Sequence, residues 1–363
     1  MELEFKPDIE QTLERYRMWW NREDFGRCAI SIAVPKANCA AKPPEPPKET
    51  IDRWLDFGYL EASYEYELKS HAYIAETLPI CHSGRYPAWD WLPMFLGCEV
   101  TLDEITAWAH PIIEDGNLED HDPDDIKIDP ENKWWLLSQK YHEFINKLSC
   151  GKSMPWPPVM GGCGDMLGAI RTVGKLLLDV ADSPEAVKKY EKRLMGIFIE
   201  TFEHYYNMHK DYCFGGSINW LNMWAPGKSY MPQSDFSYMI STKMYEELFL
   251  EQLLRELDYL DYSLYHLDGV EAFRHVDLLC SLGSLNGFQV VPGAGKPGPL
   301  HYMDVLKKVQ AAGKNLQIHL PPQEIGAALD SLSSKGLFIH TWCGSEDEAR
   351  DILKLVESRS KFY

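Results

Sequence analysis

Residues Tyr262–Gly269 read YSLYHLDG, an apolar and aromatic run of strand length that ends in an imidazole and a carboxylate. Side chains two apart on a strand share a face, so the run predicts a strand whose end aims His266 and Asp268 the same way. Three further runs follow: LNGFQVVPG (285–293), NLQIHLPP (315–322) and LFIHTWCGS (337–345). Helical patterns over 271–283, 301–312, 323–334 and 346–358 separate them. A parallel strand needs a crossover, usually a helix, to reach its neighbour, so this rhythm predicts a parallel sheet. Gly313 and Gly336 stand where helix C-termini belong. Ser345, followed by Glu346, Asp347 and Glu348, is an N-cap with acids in the first turn.

Upstream the pattern is weaker. Apolar spacing predicts a helix over 7–22, RCAISIAV (27–34) a first strand, and the Pro- and Lys-rich stretch 35–48 a loop. A helix is expected from near residue 51 through the 60s and 70s, a strand at PPVMGG within 155–164, and a helix over 165–178. Ser183-Pro184 marks another helix start, and a helix is expected over 242–257. Two irregular aromatic sections, 79–98 and 213–235, interrupt these elements. The four βα units fill the C-terminal third, and the remainder holds strand candidates for four more. The expectation is an α/β chain forming a single (β/α)8 TIM barrel over 1–363, with an N-terminal helix in 1–26, further helical elaborations and long aromatic loops. A doubly wound open sheet is the alternative, weakened because no GxGxxG follows the first strand.

The 363 residues carry a net charge of −19, which repels nucleic acid phosphate and anionic lipid and leaves a small molecule or another protein as partner. No apolar run reaches the ~18 residues of a membrane span, and the acidic N-terminus lacks the layout of a signal peptide. A cytoplasmic protein is expected. Nine cysteines without a CxxC spacing argue against a disulfide framework and a zinc knuckle.

Barrel active sites lie at the C-terminal ends of the strands, where His266, Asp268, Gln289, Gln317, His319, His340 and Cys343 collect. His266, Asp268 and Cys343 offer imidazole, carboxylate and thiolate, the three common zinc donors, with a fourth position left open. The competing reading is a hydrogen-bonded His–Asp pair and a packed thiol. Trp89, Trp91 and Trp220 wall a pocket or fill the core, and Trp342, beside Cys343, is a further candidate for binding substrate. Asp235, in QSDFSYMIS, precedes a helix that it could cap.

The order of segments resembles the uroporphyrinogen decarboxylase superfamily over about residues 155–360. The resemblance is carried by PPVMGGCGDMLGAIRTVGKLLLDVADSPEAV, SDFSYMISTKMYEELFLEQL, YHLDGVEAFRHVDLL, GFQVVPGAG and WCGSEDEARDIL, and it implies one (β/α)8 barrel. True decarboxylases of that superfamily carry a pair of arginines near the N-terminus, whereas HSGRYP (82–87) keeps Arg85 alone. The corrinoid-linked methyltransferase branch carries zinc on a His-x-Cys pair and a second cysteine some 75 residues later. Here His266-Leu-Asp268 is followed by Cys343 at that spacing, with aspartate in place of the first cysteine. The resemblance thus implies a zinc-dependent methyltransferase or demethylase. It would move a methyl group between a small O-, N- or S-methylated substrate and a thiol or a separate corrinoid protein bearing cobalamin. It further implies that Asp235 and His340 supply protons, that Tyr265, Gln289 and His319 orient substrate, and that the chain can form a homodimer. Two alternatives use the same barrel. One is a metal-free decarboxylase or lyase working through Asp268 or Asp235 with Arg85; the other is a non-enzymatic binding protein whose pocket is formed by the tryptophan loops.

Overall fold

The computed structural model of the chain describes residues 2–81, 91–104 and 106–363. Thirteen strands occur among them: β1 Ala29–Pro35, β2 His71–Ala75, β3 Ile80–Cys81, β4 Val100–Leu102, β5 Ala107–Ala109, β6 Met154–Pro155, β7 Ser217–Ile218, β8 Trp224–Ala225, β9 Ser229–Tyr230, β10 Tyr262–Asp268, β11 Gly287–Val291, β12 Asn315–His319 and β13 Leu337–Trp342. Seven form one sheet in the order β2-β1-β13-β12-β11-β10-β9, parallel throughout except where β2 runs antiparallel to β1. The short β3 and β6 pair in parallel apart from it, and β4–β5 and β7–β8 are antiparallel pairs. The chain is therefore α/β with a mostly parallel central sheet. Among the described residues the ladder does not close, ending on β2 and β9.

The four C-terminal strands fall where the sequence places them. Helices Val276–Ser281, Met303–Ala311, Ile325–Ser331 and Glu346–Arg359 follow them in turn. Strand alternation divides their side chains. In register, Leu264, His266 and Asp268 stand beside Gly287, Gln289 and Val291, and Gly287 and Gln289 beside Asn315 and Gln317, with His319 next in phase on β12. Phe338, His340 and Trp342 continue this face, His340 pairing with His319 on one side and Ser31 on the other. The alternate residues, Tyr265, Leu267, Phe288, Val290, Leu316, Ile318, Leu337 and Ile339, are buried in the larger apolar core together with the outer helices. The first face is polar at its C-terminal end and apolar at its N-terminal end, where Leu264 and Phe338 belong to a separate core.

Helix Ile9–Trp20 forms the floor of that second core. It buries Ile9, Leu13, Tyr16, Trp19 and Trp20, each apolar side chain contributing about 1.5–3 kcal/mol. Tyr16 and Trp19 meet Phe338 with ring centroids 5.6 and 5.4 Å apart, and Asn315 Nδ2 donates to the Trp20 carbonyl. A buried clamp fixes the helix to the sheet. The Glu76 carboxylate accepts from both Arg27 Nη atoms at 2.7 and 2.8 Å, from Arg15 Nε and from the Ile30 amide. Burial alone would raise its carboxyl; the Arg27 guanidinium more than offsets this and holds it below the usual carboxylate range.

Several expectations differ from the structure, including the helix over 242–257, which is broken at Phe249 into Thr242–Leu248 and Leu250–Tyr259. Residues 71–75 form the antiparallel edge strand β2 rather than continuing a helix, which ends at Ser70. PPVMGG is not a strand, since Pro157 and Pro158 have no amide to give a ladder, and the pairing falls instead on Met154–Pro155. The helix over 165–178 is interrupted by Thr172 at φ 83°, giving Asp165–Arg171 and Val173–Asp182. No helix among the described residues is long and apolar enough to cross a membrane.

Candidate functional site

At the polar end of the inward face, His266, Asp268 and Asp235 converge. One ligand atom from each lies within 4.8 Å of the others, and His266 Nε2 is 3.8 Å from Asp268 Oδ2. Strand β10 supplies two of the three at the i, i+2 spacing. Asp235 comes from the short 3-10 helix Asp235–Met239, on the strap that leaves β9. That strap is held against β10, since the His266 amide donates to the Pro232 carbonyl at 2.8 Å and Gln233 bridges to His266.

The neighbours of His266 define its chemistry. Gln289, its partner in register on β11, places Oε1 against His266 Nδ1. With that oxygen as acceptor, Nδ1 carries the hydrogen and the Nε2 lone pair is left facing the carboxylates. Trp220 packs edge-on to the imidazole at 4.8 Å. Asp268 Oδ1 is a buried oxygen with no hydrogen-bond partner among the described residues. Desolvation raises the Asp235 carboxyl above its ordinary value; His266 pulls it back and Asp268 pushes it up further. Two oxygen donors and one nitrogen, crowded so that the carboxylates repel, are a donor set a divalent cation would relieve.

A cavity of about 260 Å³ opens beside the two carboxylates, lined by Asp235, Tyr238, Asp268, Gly269, Pro292 and Lys296 among others. Toward β12 and β13, His319 and His340 meet with ring centroids 5.0 Å apart and planes tilted by 45°. Burial pushes both imidazoles below their usual range, helped by His266 at His319 and by His319 at His340. Gln317 is fully buried, and neither its amide atoms nor His340 Nε2 have partners among the described residues. Buried polar atoms are ordinarily satisfied, so this face retains unused hydrogen-bonding capacity.

The candidates inferred from sequence separate accordingly. His266, Asp268, Gln289 and Trp220 come together, and Asp235 joins them. Cys343 does not enter the group of three. It continues the outward phase of Ile339 and Thr341, is buried in the larger core, and gives its thiol to the Ser345 carbonyl at 3.4 Å. Tyr265 has the same outward phase, and its hydroxyl meets that of Tyr245 at 3.0 Å. Trp91 is buried beside Phe95, Tyr141 and His142. Trp342 is inward in phase and 57% exposed, at the rim. Trp89 and Arg85 lie outside the described residues. Asp165, unremarked in the sequence, accepts hydrogen bonds from the Asp235 and Phe236 amides; only its place at the start of a helix hinted at a capping role.

No family model matches the chain, and no curated protein does. Among solved structures it is similar to a methyltransferase from Methanosarcina mazei, with a TM-score of 0.56 over 96% of this chain and 98% of that one, at 10% sequence identity. That likeness establishes a shared fold.

Proposed function

We propose that this chain is a metal-dependent methyltransferase related to the uroporphyrinogen decarboxylase superfamily, with Asp235, His266 and Asp268 holding the ion. The convergence of those three groups around a histidine whose Nδ1 is already engaged by Gln289 carries the reading. Zinc is the ion expected, with two carboxylates and an imidazole as ligands and an open position for substrate. The reaction would transfer a methyl group between a small methylated molecule and an acceptor, either a thiol or cobalamin on a separate corrinoid protein. The similarity to the Methanosarcina mazei methyltransferase lends a fold-level analogy. The (β/α)8 barrel is part of the same proposal. Ile80 of β3 and Met154 of β6 share an interior core with Ala29, Leu264 and Phe338, as staves of one barrel would.

The bound ion would supply Lewis acidity at the heteroatom that gains or loses the methyl group. The chain's own groups do the rest. Gln289 fixes the His266 ring and its tautomer. Trp220 shields the imidazole from water on one side. The cavity of about 260 Å³ lies below the ~300–1,000 Å³ of drug-sized sites and suits a small substrate. His319 and His340, whose imidazoles are held below their usual range, can take a proton from an acceptor such as a thiol as it receives the methyl group.

Metal analysis of the purified protein tests the reading. About one equivalent of bound zinc is expected, lost in His266→Ala and Asp268→Ala. Methylation of free cob(I)alamin from a panel of methoxyaryl, methylamine and methyl thioether donors, followed by absorbance, should require the metal. Protein that binds no divalent ion, or that transfers methyl groups equally well after His266→Ala, would refute it.

A further inference from the structure

The 3-10 helix that presents Asp235 begins without a cap of its own. Ser234 occupies the N-cap position, yet its side chain makes no capping bond. The first amides of such a helix need acceptors, and a residue 70 positions away provides them. Asp165 Oδ1 accepts from the Phe236 amide at 2.8 Å, and Oδ2 from the Asp235 amide at 3.0 Å. Oδ2 also faces the Gln233 side-chain amide at 3.4 Å.

The Asp165 carboxylate is itself fixed from behind. It opens helix Asp165–Arg171, preceded by the tight stretch Gly161-Gly-Cys-Gly164. A Cβ at Gly162 would stand 2.1 Å from the Gln233 carbonyl oxygen, so only glycine lets the two segments approach this closely. The Gly164 amide donates to Glu191 Oε1 at 3.1 Å, and Glu191 is fully buried on helix Pro184–His209. Contacts therefore run without a gap from the outer helix through Gly164 and Asp165 to the backbone of Asp235.

We propose that Asp165 is a positioning residue of the site: by capping the strap in trans, it sets where the Asp235 carboxylate stands relative to His266 and Asp268. The proposal rests on the metal-binding reading for its consequence but not for its geometry. Groups that orient metal ligands from behind are worth about 10–100-fold in metal affinity. Asp165 touches no reacting atom, so its loss should act on how well the ligands are placed.

The test uses Asp165→Asn, which keeps the size of the side chain but turns an amide donor toward backbone donors. Hydrogen exchange of a peptide spanning 233–239 and zinc affinity, by competition with a chromophoric chelator, are measured on the same preparations. The expected result is at least tenfold faster exchange at Asp235 and Phe236. Zinc binding should weaken about 10–100-fold, with an altered visible spectrum of the cobalt-substituted protein. Unfolding by denaturant reports separately on the fold. Unchanged exchange at 235–236 would overturn the positioning role whether or not the native protein takes up zinc. Faster exchange with zinc affinity within twofold of native would overturn its bearing on the site. A native protein that binds no metal would instead sink the proposed function, while the exchange result still decides what Asp165 does to the strap.

Discussion

Replacing Gln289 by leucine isolates the coupling between His266 and its neighbour on β11. Gln289 is 3% exposed, and leucine is close to it in size, so the packing loss is small and the lost acceptor dominates. The Nδ1–H of a histidine whose side chain is 14% exposed would then lack a partner, costing about 1–3 kcal/mol of stability. Release of the ring from one orientation and one tautomer should weaken metal binding about 10–100-fold, or about 1.4–2.8 kcal/mol at 1.4 per factor of ten. Gln289→Glu makes the opposite change. A carboxylate acceptor raises imidazole basicity, so this variant should bind zinc at least as well as native at alkaline pH. The same charge also stabilises the imidazolium, and a proton must leave before the metal enters. Its affinity should accordingly fall more steeply than native on acidification. Chelator competition at several pH values, with denaturant unfolding on the same samples, separates the two effects. If Gln289→Leu binds zinc within twofold of native, the Gln289–His266 pair does not prepare a metal ligand.

Three more outcomes follow from the packing. Cys343→Ala should leave zinc affinity within twofold and cost on the order of 1 kcal/mol, because the thiol belongs to the larger core; a tenfold loss of affinity would make it a ligand. Glu76→Ala strands Arg27 in a buried site and should cost about 3–5 kcal/mol in denaturant unfolding. The folded Glu76 carboxyl lies below its unfolded value of ~4.3, so its contribution is present above that pH and is lost as pH falls through the folded value. Glu256 is the reverse case: buried with neither oxygen partnered among the described residues, its carboxyl is pushed up to about 8. The folded state then prefers the protonated acid, and a destabilising contribution grows from ~4.3 until it is complete above about 8. Glu256→Gln should unfold at higher denaturant than native at pH 9, with the gap closing at pH 5; an equal gap at both would contradict the linkage.

The C-terminal third was legible because each signal there agreed with the next. Gly313 takes the positive φ that a helix end requires, and Ser345 accepts from the Glu348 amide as an N-cap should. Gly336 also has φ 70°, but in the turn just before β13, beyond the helix that ends at Ser331. Ser183 does precede a helix with Pro184 at its first position, but its hydroxyl makes no capping bond. The short strands β3, β6, β7, β8 and β9 have two residues each, too few for alternation to register. In the site, the i, i+2 rule brought His266 and Asp268 together correctly. The same rule, applied one residue back, sends Tyr265 outward, and continued along β13 it sends Cys343 outward as well. That information was available in the sequence; matching a spacing of ligands across distant strands obscured it. Asp235 was singled out as a cap or a proton donor but not as a neighbour of His266 and Asp268. The role of Asp165 was beyond reach, because a carboxylate that caps a helix 70 residues away leaves no local pattern.

The helix Ile9–Trp20 bears on the order in which reactants can arrive. If the sheet closes as the proposed barrel, the rings of this helix would fill one end of the interior, and traffic to His266 would pass through the opposite opening. For the proposed reaction, an acceptor as bulky as a corrinoid protein would cover that doorway when it docks. The small methylated molecule must then be aboard first, and excess partner should trap or exclude it. Velocity that rises and then declines as partner concentration increases, with the decline relieved by more small substrate, is the kinetic signature of a vessel with one mouth.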